Sequence, residues 1–349
     1  MDQHPPSAPR GRAAGSNPAN RFTRLSVESE EPPPGCVPTL YLEDTSRSIL
    51  TTNDSPDVPF DVSLNPYRGC EHGCVYCYAR PTHEYLGFSA GLDFESRILV
   101  KRDAARLLEA ELASPRWRPQ TIGISGVTDP YQPIERKLGI VRACLEVLAD
   151  TRNPVAIVTK NHLVTRDADL LATLAEHGAV SVYLSVTSLD PETSRRLEPR
   201  APHPRERLGA VAELTARGIP CGVLIAPVVP AITDHEIPAI VAAAAEAGAR
   251  SAGFIPLRLP GAVAGLFEEW LERWFPDRKD KVLNRQLSLR GGKLNDSRFG
   301  HRMRGQGIFA EQMKALFETA CRRHGLVKRG APLSTAAFRR PSGGQGRLF

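Results

Sequence analysis

A parallel α/β fold is the architecture this sequence predicts, on three observations. Six short, β-rich apolar runs recur along the chain: VSLN (62–65), TIGISG (121–126), PVAIVTK (154–160), VSVYLSVT (180–187), PCGVLIAPVV (220–229) and SAGFIPLRL (251–259). Each of the last five follows a stretch whose apolar residues have helical spacing, and strands alternating with helices of this length pair in parallel. Several of the helices close at a glycine, Gly178, Gly218 and Gly248, the residue that best adopts the left-handed turn ending a helix.

Taken in order, residues 1–35 are rich in Pro, Ser and Arg, carry Pro32-Pro33-Pro34-Gly35 and lack periodicity, which predicts a disordered arm. The first strand runs straight into a cysteine cluster. The helices KRDAARLLEAELA (101–113), LGIVRACLEVLAD (138–150), RDADLLATLAEHG (166–178), PRERLGAVAELTARG (204–218) and HEIPAIVAAAAEAG (235–248) then lead into the second to sixth strands, giving a core domain over 36–260. Beyond it the alternation stops. A helix, AVAGLFEEWLERWF, a Gly- and Arg-rich stretch, LSLRGGKLNDSRFGHRMRGQG, and an amphipathic helix, IFAEQMKALFETACRRHG, make a basic, mainly helical extension over 261–330, followed by a flexible tail at 331–349. Six repeats fall short of a closed eight-fold barrel, so the pattern alone leaves an open (β/α)6 partial barrel and a doubly wound sheet as alternatives.

With 41% hydrophobic and 24% charged residues among 349, the chain is an ordinary globular one, which excludes collagen, coiled coil and pure disorder. The net charge of +6 hides an asymmetry. From Pro276 onward there are about 17 Lys and Arg against about 5 Asp and Glu, so the body before it is acidic. Of seven cysteines, three crowd into residues 70–77 while Cys36, Cys144, Cys221 and Cys321 stand alone. That distribution argues against a disulfide framework and for one ligand cluster in a reduced compartment; Cys144, on a helix, reads as a core residue. The N-terminus has no apolar signal region and no stretch approaches the roughly 18 apolar residues of a membrane span, so a cytoplasmic protein is expected.

The chemistry of such folds lies at the C-terminal ends of the strands. Those ends are polar here: Asn65 and Arg68, Ser125, Thr128 and Asp129, Thr159 and Lys160, Ser185 and Thr187, and Arg258. The segment NPYRGCEHGCVYCYAR sets Cys70-x3-Cys74-x2-Cys77 directly after the first strand. A structural zinc site would need a fourth ligand, for which His72 or His83 is available. An ordinary four-cysteine iron-sulfur site lacks its fourth cysteine nearby. A [4Fe-4S] cluster on three thiolates, with one iron open, fits the spacing best.

At these residues the sequence resembles the radical S-adenosylmethionine (SAM) superfamily, whose signature is CxxxCxΦC; the aromatic position is Tyr76. Longer stretches, among them NDSPDVPFDVSLNPYRGCEHGCVYCYARPTHEYLGFSAGLDFESRI, TDPYQPIE, LEPRAPHPRERL and GFIPLRLP, resemble the branch related to spore photoproduct lyase. The resemblance implies a partial (β/α)6 TIM-like barrel and a cluster on Cys70, Cys74 and Cys77. It further implies SAM chelated to the open iron and cleaved by one electron to a 5′-deoxyadenosyl radical, with a flavodoxin or ferredoxin as reducing partner. By strand order it points to Ser125, Thr128 and Asp129 for the methionyl amino group, Tyr76 near adenine, Ser185 and Thr187 for the ribose, and Arg195 or Arg200 for the SAM carboxylate. In spore photoproduct lyases a cysteine just before the Ser/Thr-Asp-Pro segment donates hydrogen; here Ser125-Gly126-Val127-Thr128-Asp129-Pro130 offers no thiol.

The basic extension bears on substrate. Its Arg290-Gly291-Gly292-Lys293 and Arg302-Met303-Arg304-Gly305 clusters flank Phe299 and His301, a composition suited to phosphates and a stacked base, hence to nucleic acid as substrate or partner. A metal-stapled nucleic-acid-binding module without catalysis is the second reading.

Overall fold

The computed structural model describes residues 8–23, 35–124 and 126–341. Its strands are β1 (Leu40–Glu43), β2 (Leu50–Thr52), β3 (Val62–Leu64), β4 (Tyr67–Arg68), β5 (Arg97–Val100), β6 (Ile122–Ile124), β7 (Val155–Thr159), β8 (Val180–Ser185), β9 (Cys221–Val228) and β10 (Ser251–Pro256). The helices are α1 (Leu92–Ser96), α2 (Ala104–Ala113), α3 (Glu135–Leu138), α4 (Ile140–Thr151), α5 (Ala168–Ala175), α6 (Pro191–Leu197), α7 (Pro204–Ala216), α8 (Ile237–Glu246), α9 (Val263–Trp274), α10 (Lys279–Leu289) and α11 (Ile308–His324).

The main sheet has the order β10-β9-β8-β7-β6-β3-β2. Six of its strands, β3 and β6 to β10, are parallel and follow one another in chain order, with β2 antiparallel on one edge. A sheet wound in one direction has no reversal point, so its helices fall on one side and the sheet curls. The doubly wound alternative is thereby excluded, and the architecture is a partial TIM-like barrel of six β/α units with additional helices. All six expected strands are present. β1, β4 and β5 form a small second sheet that the alternation did not reveal.

The helices take the form their sequences dictate. In α4 the buried residues Ile140, Val141, Cys144, Leu145 and Leu148 recur at three- and four-residue spacing and face the sheet. Gly178, Gly218 and Gly248 have φ of 62°, 78° and 88°. In each case the next amide bonds back across the helix end, Ala179 to Leu174 O, Ile219 to Leu214 O and Ala249 to Ala244 O, at 3.0, 3.1 and 2.9 Å. α10 occupies part of the region expected as an irregular stretch.

Two terminal segments depart from the disorder that composition suggests. Residues 12–14 are buried against the cysteine region. Residues 330–340 run beneath the barrel, where Ser334 N donates to Gly178 O (2.9 Å), Arg339 N to Thr151 O (2.7 Å) and Arg340 to Leu112 O (3.2 Å). Carbonyls at the ends of helices and in the turns preceding the strands lack intrahelical partners, and a polar, Arg-bearing segment satisfies several of them. No helix among the described residues is long and apolar enough to cross a membrane.

Candidate functional site

The cysteine loop leaves the barrel just past β3 and β4, at the C-terminal side where helix- and loop-borne groups gather. Cys70 and Cys74 are buried and Cys77 is partly so. Burial pushes the Cys70 thiol well up, and Asp129, Cys74 and Cys77 push it further; Cys74 is raised likewise, by burial and then Glu198. Left to themselves, such thiols stay neutral and pack as small apolar groups. A cationic metal group would reverse that balance and bind them as thiolates. Among the described residues no three His, Cys, Asp or Glu side chains converge as ligands of a single ion would; a four-iron cluster gives each thiolate its own iron.

The loop is shaped by residues outside the motif. Gly73 has φ of 65°, and a Cβ there would sit 2.6 Å from Glu95 Oε2, so only glycine fits. Arg80, fully buried, donates from Nε to Cys74 O (2.9 Å), from Nη2 to Gly73 O (3.2 Å) and from Nη1 to Ala90 O and Gly91 O (3.1 and 2.9 Å). Its charge is met by Glu95 at 2.5 Å, both side chains being inaccessible to solvent. Glu95 in turn accepts from the amides of Ala13 (3.1 Å) and Ala14 (3.0 Å). The arm, the carboxylate, the guanidinium and the cysteine loop are thus one connected unit.

The two other residues between Cys70 and Cys74 bind the neighbouring strand ends. Glu71 accepts from Ile134 N (2.9 Å) and pairs with Arg200 (3.2 Å). His72 Nδ1 lies 3.3 Å from Asp129 Oδ2, and its Nε2 lies 3.4 Å from Asn161 Nδ2. A groove of about 780 Å³ lined by Arg136, Asn161, His162, Arg166, Arg200 and Glu206 lies beside this face of the loop.

The expected SAM-pocket residues divide into groups. Ser125 lies outside the described residues. Thr128 is buried and its hydroxyl donates to Tyr67 O (3.2 Å). Asp129 is saturated by protein: it accepts from Thr159 Oγ1 (2.6 Å), Lys160 N (2.7 Å) and Tyr131 N (2.9 Å). Burial alone would raise its pKa, yet His72 and these bonds hold it below the usual carboxylate range. It ties the β6 and β7 ends to the cysteine loop. Tyr76 and Thr187 come together, their hydroxyls 3.3 Å apart, around the buried Glu198. Glu198 is paired with Arg207 and, at 3.2 Å, with Lys160, whose ammonium also lies 5.7 Å from the Tyr76 ring centre. Ser185 is buried at the end of β8, and its carbonyl accepts from Arg207 Nη1 (3.0 Å). Arg200 is held by Glu71 and Thr39, while Arg195 is exposed on α6.

Sequence reading passed over Arg80, Glu95, Glu198 and Arg207 as site-builders. The available signal was weak: charged residues at otherwise apolar helical or loop positions near the motif. It also offered Arg290 as a phosphate contact. Arg290 is 2% exposed, and its Nη atoms are spent on the carbonyls of Pro256, Leu257, His301 and Arg302, so it is a structural clamp.

The chain is similar to known proteins in sequence and in fold. An uncharacterised protein of Mycobacterium tuberculosis is 38% identical over 242 residues, 69% of this chain and 71% of its own length. One of Methanocaldococcus jannaschii is 29% identical over 173 residues, 50% and 62% of the two chains. Among solved structures, a spore photoproduct lyase variant superposes with a TM-score of 0.61 at 16% identity, covering 82% of this chain and 81% of that one. Spore photoproduct lyase complexed with dinucleoside spore photoproduct gives 0.59 at 15%, covering 82% and 81%; at such identity the likeness is one of fold. The Radical SAM superfamily model matches residues 64–244, a span that begins at the end of β3 and takes in all three clustered cysteines, and the chain therefore belongs to the radical SAM superfamily.

Proposed function

We propose that this protein is a radical SAM enzyme in which Cys70, Cys74 and Cys77 hold a [4Fe-4S] cluster with one iron left for SAM. The observation that carries the reading is the cysteine loop itself: three neighbouring thiols, two buried and one partly so, after the first barrel strand, on a backbone fixed by Arg80. When bound, the cluster and SAM supply one-electron cleavage of a carbon-sulfur bond and a 5′-deoxyadenosyl radical that takes a hydrogen atom from substrate.

The chain's own residues hold and shield that chemistry. Arg80 and Glu95 fix the loop. Asp129 links it to the ends of β6 and β7. The Glu198 network sets the Tyr76 ring and keeps water from the side of Cys74. Ser125, Thr128 and Ser185 are the rim residues we assign to SAM, and Lys160 is placed to meet an anionic group entering beside Tyr76. A small acidic reductant such as flavodoxin or ferredoxin supplies the electron, and the basic extension favours a nucleic-acid substrate.

Anaerobic reconstitution with iron and sulfide tests the reading. The expected product is a brown protein with a four-iron EPR signal on reduction, yielding 5′-deoxyadenosine from SAM and dithionite. Cys77→Ala should lose the signal and the cleavage while keeping its circular dichroism. A wild-type protein that takes up stoichiometric zinc and never cleaves SAM would sink it, and a Cys77→Ala protein that unfolds would favour the metal-stapled module.

A further inference from the structure

Arg258, two residues beyond β10, stands out because among the described residues no carboxylate lies within ion-pair distance of it. Among the described residues its Nη1 meets the Met303 sulfur (3.6 Å), its guanidinium carbon lies 5.2 Å from the ring centre of Tyr78, and its buried Nε finds no hydrogen-bond partner. A guanidinium has five N–H donors, so most of its capacity is unspent. Tyr78 directly follows Cys77 and its hydroxyl donates to Gly126 O just past β6, which sets Arg258 beside the cysteine loop at the C-terminal end of the barrel.

A second guanidinium is held in the same neighbourhood. Arg302 is anchored to Asp57 (2.6 Å) and Ser55, and it covers the ring of Phe299 at 4.5 Å. A third arginine ties together the backbone segments that carry the two cations: Arg290 donates to Pro256 O and Leu257 O beside Arg258, and to Arg302 O and His301 O. Asp57 is consumed by Arg302 and by Gly300 N (2.7 Å), and Asp296 by Arg298 (2.7 Å). Tyr78 and Phe299, both 49% exposed, lie with their rings against Arg258 and Arg302 respectively. Two neighbouring cations of which only one has a described carboxylate partner are stabilised by an added anion, and a fork of unspent N–H donors matches phosphate oxygens.

We propose that Arg258, with Arg302 beside it, is an oxyanion subsite that takes a phosphate group of the substrate, the planar part of which lies against Tyr78 and Phe299. The inference rests on the reading above that substrate enters at this end of the barrel, and it adds which residues anchor it.

The test uses the full chain and inorganic phosphate, followed by 31P relaxation on titration, with acetate as a competing carboxylate. Arg258→Ala should weaken phosphate binding about tenfold and Arg258→Lys, which keeps charge but loses the fork, by less. Arg106→Ala, an exposed surface control on α2, should leave it unchanged, and acetate should displace phosphate poorly. Thermal unfolding of the Arg258 variants should match wild type, so that a loss of binding is not a loss of fold. Binding by Arg258→Ala equal to wild type, or an equal loss in Arg106→Ala, overturns the subsite; efficient displacement by acetate overturns its assignment to phosphate. Because binding is read without SAM turnover, a protein that binds phosphate through Arg258 but never cleaves SAM refutes the enzymatic reading and not this one. SAM cleavage with unaltered phosphate binding in Arg258→Ala does the reverse.

Discussion

Glu95→Gln is the sharpest test of how the cysteine loop is held. Oε1 of Glu95 receives both Arg80 Nη2 and Ala14 N, and Oε2 receives Ala13 N. The amide supplies one acceptor where the carboxylate supplied two. With its oxygen kept at the doubly used position, the NH2 group is forced against the Ala13 N–H, and Arg80 keeps a full charge with no counter-charge in a site closed to solvent. Breaking a buried ion pair from one side costs about 3–5 kcal/mol, and each orphaned buried amide about 1–3 kcal/mol. Because the residues act as one network the terms overlap, so a total of about 3–5 kcal/mol is expected. At about 2–4 °C per kcal/mol for domains of 150–250 residues, the apparent Tm should fall by about 6–20 °C. Differential scanning fluorimetry reads this directly, alongside iron retained after reconstitution and a chelator challenge, which should drop as the loop loosens. Glu192→Gln, which breaks an exposed i,i+4 pair with Arg196, should shift stability by less than about 0.5 kcal/mol. If Glu95→Gln unfolds within 2 °C of wild type by the same ~1 kcal/mol reading error, the connected unit described above does not support the loop.

Three further outcomes follow from the same geometry. Gly73→Ala forces a Cβ to 2.6 Å from Glu95 Oε2 at a φ of 65°, so iron loading should fall sharply with a stability loss of about 1–3 kcal/mol, whereas Gly87→Ala, with open space around it, should load iron normally. His83, fully buried against Phe88 and Phe94, has its pKa pushed down to about 4 by burial. Its unfolded form binds a proton near pH 6.5, so its neutral burial is fully tolerated above that pH and costs stability progressively as pH falls toward 4, reaching about 3 kcal/mol. His83→Phe should flatten that part of a urea-midpoint-versus-pH curve, and an unchanged slope would refute the assignment. Arg207→Met leaves Glu198 with only Lys160 as counter-charge; a stability loss of about 3–5 kcal/mol is expected, measured by chemical denaturation, with Arg207→Lys recovering part of it.

What the sequence by itself determined was whatever is local. The six strands were legible because β-rich runs and helical spacing repeat over windows of five to fifteen residues, and helix ends because Gly178, Gly218 and Gly248 carry out their turns within one helical end. The cysteine triad was legible because its spacing is contiguous in the chain. Tertiary structure alone decided which charges serve that triad. Arg80 finds Glu95 fifteen residues on, Glu95 finds Ala13 across 82 positions, and Tyr76 finds Glu198 across 122. Such pairs leave no periodicity, and an Arg or Glu in the sequence looks the same whether it will be solvated or buried. The same reason explains Arg290 and Arg258. Both are basic residues of the C-terminal portion, yet packing turns one into a clamp on backbone carbonyls and leaves the other with unspent donors beside the cysteine loop. Composition fixed the number of charges, and only the folded chain, by deciding which of them lose water and which gain partners, fixed what each one does.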